Sequence, residues 1–147
     1  MDLKDFHKIY RQSAKIKQLT TLIREKKSKV QLKGLNGSLA SVVASSVCSS
    51  IKKTHLFILE DKEAAAYFFN DMEYLFEDRE LLMEEKNILF YPTSFRKSSL
   101  SNQTDSLQSL MRTEVLKRIS TQRSGFIIIS YPEALGEKVV SRSDYRE

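Results

Sequence analysis

Two kinds of apolar pattern alternate along the chain. At the N-terminus Phe6, Ile9, Tyr10, Ile16, Leu19, Leu22 and Ile23 recur at helical spacing, with Lys4, Lys8, Arg11, Lys15, Lys17 and Arg24 between them. That spacing predicts a basic amphipathic helix over residues 1–28. Beyond it come short runs at Val30–Lys33, His55–Leu59, Ile88–Tyr91 and Phe126–Ser130, mostly apolar or β-branched. Runs of this kind predict strands buried on both faces of a sheet.

Longer amphipathic stretches separate those runs. Residues Ser38–Ile51 are rich in Ala, Ser and Val, small side chains that let a helix lie close to a sheet. Lys62–Phe76 places Ala65, Phe68, Phe69, Met72, Leu75 and Phe76 on one helical face, and its other face is acidic. Thr93–Thr104 reads as a Ser/Thr-rich loop, and Asp105 is a candidate N-cap for a helix running to Gln122 with Leu107, Leu110, Met111, Val115 and Ile119 inward. Gly125 closes that connection, and Pro132 suits the first turn of a short helix. The alternation predicts an α/β fold of three layers, a mostly parallel sheet flanked by helices.

Composition narrows the class. A chain of 147 residues with 41% hydrophobic and 29% charged residues has the balance of one soluble domain. Cys48 has no partner for a disulfide, and with His7 and His55 alone beside it no metal-ligand spacing exists, so no metal is expected. No apolar stretch approaches the roughly 20 residues of a membrane span, and the charged start lacks a secretory h-region. The expectation is a cytoplasmic protein with no membrane contact.

Charge is divided unevenly. Residues 1–33 carry ten Lys or Arg against three acids, and residues 60–86 carry ten acids against three bases, local balances of +7 and −7 within a net +5. Lys4, Lys8, Arg11, Lys15, Lys26, Lys27 and Lys29 are therefore candidates for weak, sequence-independent phosphate contacts with DNA. A solvated helix face explains the same charges.

The stretch Gly34-Leu35-Asn36-Gly37-Ser38-Leu39-Ala40-Ser41 falls between an expected strand and an expected helix, where a phosphate-binding loop belongs. A working loop needs a glycine, a lysine and a hydroxyl residue in succession, so that backbone N–H groups wrap the phosphates, the amine neutralises them and the hydroxyl holds Mg²⁺. Those three positions hold Leu39, Ala40 and Ser41. Gly34, Asn36, Gly37, Ser38, Ala40 and Ser41 thus form at most a vestigial loop, with no catalytic residue and no cofactor expected.

In order and spacing, this loop, its small-residue helix, the strand of Leu56–Glu60, Lys62-Glu63-Ala64-Ala65, Asn70-Asp71-Met72 and Leu89-Phe90-Tyr91-Pro92 resemble the start of bacterial transcription-repair coupling factors (Mfd). Arg112-Thr113-Glu114-Val115-Leu116, Gly125–Ser130 and Pro132-Glu133-Ala134-Leu135 are similar to that family's later blocks. The likeness covers about Lys33 to Val140. It implies a domain like domain 1a of the excinuclease subunit UvrB, a degenerate P-loop NTPase-like fold whose loop has lost its lysine. Two segments depart from the pattern: Pro92-Thr93-Ser94-Phe95-Arg96-Lys97 replaces an acidic and aromatic stretch, and Glu77–Lys86 is long for a helix-to-strand connection. Nothing resembles UvrB's DNA-gripping hairpin.

Three segments are expected: the basic helix at 1–28, which periodicity predicts and which lies outside the likeness, and, as the resemblance implies, the UvrB-like α/β domain at 29–140 and at 141–147 the start of a connection to a following domain. The resemblance implies a non-enzymatic module in a parent that is an ATP-driven DNA translocase. That parent couples stalled RNA polymerase to nucleotide excision repair by recruiting UvrA. The module's partners would be other domains of the same polypeptide and, through the parent, UvrA, RNA polymerase and DNA. Later strands complete the sheet in such modules, so the chain by itself is expected to self-associate or to fold its N-terminal helix over the exposed region, burying Phe6, Ile9 and Leu19. The alternative is a stand-alone α/β domain that binds nucleotide or nucleic acid. Cys48 is expected to be a packing residue, His55 an edge residue, and Asp61 the cap of the helix that begins at Lys62.

Overall fold

The computed structural model describes residues 3–94, 102–121 and 124–139. The connection expected at 141–147 and the loop residues 95–101 lie outside them. The chain runs α1 (Leu3–Gln12), α2 (Ala14–Arg24), α3 (Leu39–Ser50), β1 (His55–Ile58), α4 (Lys62–Leu75), β2 (Ile88–Phe90), α5 (Asn102–Ser120), β3 (Ile127–Ser130) and α6 (Pro132–Leu135).

The three strands form one parallel sheet in the order β1-β3-β2. Phe57 and Phe90 flank Ile129 in register, and Leu56 and Leu89 flank Ile128. The crossover β1-α4-β2 and the crossover β2-α5-β3 travel in opposite directions across the sheet. Right-handedness in both therefore puts α4 and α5 on opposite faces. Phe68 of α4 lies 5.1 Å, ring to ring, from Phe57 on one face, and Arg112 of α5 stands over Tyr91 on the other. The α/β class and its layering follow from this arrangement.

The central strand β3 is buried along its whole length, and Ile129, Ile88, Met72 and Ala65 are fully buried around it. Each buried aliphatic side chain of this size contributes roughly 1.5–3 kcal/mol. Asp61 accepts a 2.8 Å hydrogen bond from the Ala64 N–H and caps α4, as its position suggested.

Four sequence expectations need correction. First, Val30–Lys33 is not a strand: residues 28–36 are irregular, and Val30 and Leu32 are exposed. Apolar Val30 and Leu32 alternate with Gln31 and Lys33, which suits a half-polar edge and not a position covered on both faces.

Second, β1 is not buried on both faces. His55 and Phe57 are half-buried towards α4, while Leu56 and Ile58 on the α5 side are 53% and 56% exposed. β1 is an edge strand, and its α5-side residues stay exposed.

Third, α5 begins at Asn102, before Asp105, and ends at Ser120. Among its described side chains Arg112, Val115 and Arg118 are buried, whereas Leu107, Leu110 and Ile119 are about half exposed. Burying the arginines is tolerable because each finds several acceptors.

Fourth, the basic N-terminal segment is two helices. Ser13, with φ −58° and ψ 133°, breaks the run, and the elbow lets both α1 and α2 lie on α3. Ile16 and Leu19 are buried, Leu19 in a cluster with Val47 of α3 and Ile51 just after it. The His7 Nε2–H donates to the Leu75 carbonyl across 2.7 Å. Of the three residues expected to be covered by a folded-back helix, Leu19 is buried, Phe6 is half-buried and Ile9 is exposed.

Candidate functional site

The loop before α3 turns on two glycines with positive φ, Gly34 at +79° and Gly37 at +56°. A Cβ at either would meet nothing within 4 Å, so the requirement is backbone conformation and not space. The Leu39 N–H reaches the Asn36 carbonyl at 3.3 Å, and the Val42 N–H reaches Ser38 at 3.1 Å, the first bond of the helix. Gly34, Asn36, Gly37 and Ser38 are exposed.

The residues that matter most for phosphate chemistry face elsewhere. Ala40 is half-buried and packs against the main core, and it has no charge to offer. Ser41, in the position of the Mg²⁺ hydroxyl, is buried, and its Oγ–H donates to Asp71 Oδ2 of α4 at 2.9 Å. That hydroxyl ties two helices together. Facing the loop is a hollow of about 360 Å³, lined on one side by Tyr10, Ile16 and Leu19 of the elbow and on the other by Leu32 and Leu35, with Lys15 and Lys33 also on its wall. Its surface is mostly apolar, unlike a triphosphate cradle, which needs convergent N–H groups and cations.

Three further serines of α3 are satisfied within their own helix. Ser45 and Ser46 both donate to the Val42 carbonyl, and Ser50 donates to Ser46. Cys48 is buried among them, and desolvation pushes its thiol up to about 12. It is a packing residue, as expected, and not a nucleophile.

The candidate DNA contacts lie in the first 29 residues. Lys8 and Arg11 are exposed on α1, Lys15 on α2, and Lys26, Lys27 and Lys29 on the irregular segment after α2. Lys4 belongs to α1, and its side chain lies outside the described residues. The elbow at Ser13 divides the set between two helix axes and a coil, so it is not one continuous helical stripe.

Sequence reasoning missed a second group of residues, at the C-terminal ends of β2 and β3, the end of an open parallel sheet where ligands bind. Arg112 donates through Nη1 to the carbonyls of Pro92 at 2.7 Å and Ala134 at 3.2 Å. The same nitrogen lies 3.3 Å from Glu137, and the guanidinium carbon is 4.2 Å from the Tyr91 ring centroid. Burial pushes the Tyr91 hydroxyl above its ordinary range, with the Arg112 charge opposing and Glu137 reinforcing the rise. Tyr131 Oη accepts from the Thr93 N–H at 3.0 Å, and the Ser94 N–H donates to Glu137 at 2.6 Å. The strand ends are thus stitched shut by the chain's own groups. The sequence carried Arg112, Tyr91-Pro92 and Ala134 only as parts of the blocks that resemble the family, and Arg112 and Arg118 stand three residues on either side of Val115.

Arg118 performs a similar task at the other end of α5. Its guanidinium donates to the carbonyls of Met83 and Glu84, each at 2.8 Å, to that of Lys86, and to Glu114 at 2.6 Å. Asp78 accepts from the N–H groups of Asn87 and Ile88, and Lys86 pairs with Glu73. The long connection 77–87 is therefore fixed from beneath.

Among the described residues no three His, Cys, Asp or Glu side chains stand close enough to hold a metal. Among the described residues no helix is long and apolar enough to cross a membrane. Comparison with protein-family models, with curated proteins and with solved structures gives no match.

Proposed function

We propose that this chain is a non-catalytic, UvrB-like module of a transcription-repair coupling factor, with a degenerate P-loop NTPase-like fold. Its work is scaffolding in a cytoplasmic protein that recruits UvrA to RNA polymerase stalled on DNA. The observation that carries the non-catalytic part is the fate of the loop: Ala40 packs inward at the lysine position, and Ser41 gives its hydroxyl to Asp71. Loss of the lysine removes a contact that stabilises phosphate charge in the transition state, so no hydrolysis is assigned to the chain. The uncovered α5 side of β1, with Leu56 and Ile58 exposed, fits a module whose sheet other domains of the same polypeptide complete.

Strand-resolved repair tests the reading. After ultraviolet damage, cells lacking the gene for this chain should repair the transcribed strand no faster than the other strand. Retention of the normal bias towards the transcribed strand in those cells overturns the proposal.

A further inference from the structure

We propose that the hollow between the α1–α2 elbow and the Gly34 loop binds the acidic loop Asp78–Lys86 of a second copy of this chain, with Leu82 as the anchor. Three observations meet. The hollow has apolar walls at Tyr10, Ile16, Leu32 and Leu35, and its charged lining residues are both cations, Lys15 and Lys33. Elsewhere on the molecule Leu82 is 70% exposed and its neighbour Leu81 39% exposed, on a connection whose Glu80, Glu84 and Glu85 also face solvent. The two surfaces belong to the segments with local balances of +7 and −7, so a leucine flanked by acids meets an apolar hollow flanked by lysines.

The loop is built to present that leucine. Arg118 holds the carbonyls of Met83, Glu84 and Lys86, and Asp78 holds the N–H groups of Asn87 and Ile88. Glu85 and Lys86 close a turn back onto the Leu82 carbonyl at 2.8 and 3.1 Å. A fixed loop loses little freedom on docking, which favours association. Within one molecule the hollow is lined entirely by residues 10–43, so its own acidic loop does not fill it.

Sedimentation equilibrium of the full chain tests this with two variants, Leu82→Asp and the pair Lys15→Glu with Lys33→Glu. All three positions are exposed, and far-UV circular dichroism checks that each variant folds. Glu80→Lys with Glu84→Lys replaces Leu82→Asp if that chain unfolds. The unaltered chain should gain mass with concentration in 50 mM salt, with a Kd that rises at least tenfold in 500 mM salt. Each variant should stay monomeric alone. Mixed, they should pair one to one, because the loop variant keeps its hollow and the hollow variant keeps its loop. A monomer at every concentration, association that survives in either variant, or a mixture that fails to pair overturns the proposal.

Discussion

Ser41 Oγ donates a 2.9 Å hydrogen bond to Asp71 Oδ2, and the hydroxyl that a phosphate loop would turn towards Mg²⁺ joins α3 to α4 instead. Asp71→Ala leaves a buried hydroxyl without its acceptor, at a cost of about 1–2 kcal/mol. Urea denaturation should show that loss, and Asp71→Asn, which keeps an acceptor oxygen, should recover most of it.

The same relationship bears on nucleotide binding. Mg-ATP should give no measurable heat with this chain, because Ala40 carries no charge and Leu39 places a side chain where the backbone must approach phosphate. Introducing Leu39→Gly and Ala40→Lys together should not restore binding while Ser41 remains bonded to Asp71. A Kd in the low micromolar range for the unaltered chain, read by titration calorimetry, contradicts the vestigial loop.

Arg118 is buried and serves three backbone carbonyls and Glu114. Arg118→Met removes all of these and strands the Glu114 carboxylate, so a loss of about 3 kcal/mol is expected. Arg118→Lys should rescue little, because an ammonium is a point donor that cannot span the fork. Chemical denaturation of both variants measures the difference.

Much of this architecture was legible in the sequence. The apolar runs at His55–Leu59, Ile88–Tyr91 and Phe126–Ser130 mark the three strands to within a residue, because short β-branched and aromatic runs suit strands whether central, as β3 is, or at an edge, as β1 and β2 are. The apolar inward residues of α4 were equally clear from their spacing, whereas Glu73, read as part of the outward acidic face, is buried and pairs with Lys86. The face of α5 was not legible: helical periodicity counts Leu110 and Ile119 as core and cannot foresee that Arg112 and Arg118 are buried by carbonyls from distant segments. Val30–Lys33 failed for a related reason, since a strand needs a neighbour and four residues cannot reveal whether one is present. At the candidate site, the missing lysine was visible in the order of residues, but the bond between Ser41 and Asp71 depends on how α3 lies against α4.

Cys48 gives a pH signature. Its thiol is raised from an ordinary 9.0 to about 12 by burial, so the native state holds its proton while the unfolded state releases it. The associated stability is complete below pH 9 and declines as pH rises towards about 12. The difference in stability between the unaltered chain and Cys48→Ala, followed from pH 8 to pH 11, should change in that direction. Thiol-reactive dye should label Cys48 only on unfolding.

DNA binding, if carried by Lys4, Lys8, Arg11, Lys15, Lys26, Lys27 and Lys29, should be weak and blind to sequence or damage. Fluorescence anisotropy should show a steep fall in affinity between 50 and 200 mM salt. Replacing Lys26, Lys27 and Lys29 by Glu should flatten that slope. Tight binding at 200 mM salt, or a preference for damaged duplex, contradicts the assignment.

The most direct test of the central claim is an assay of polymerase release with the endogenous polypeptide that contains this chain. Purified from its own cells and given ATP, that polypeptide should displace RNA polymerase stalled on DNA, while residues 1–147 alone should displace none. Failure of the endogenous polypeptide to release stalled polymerase in the presence of ATP contradicts the account.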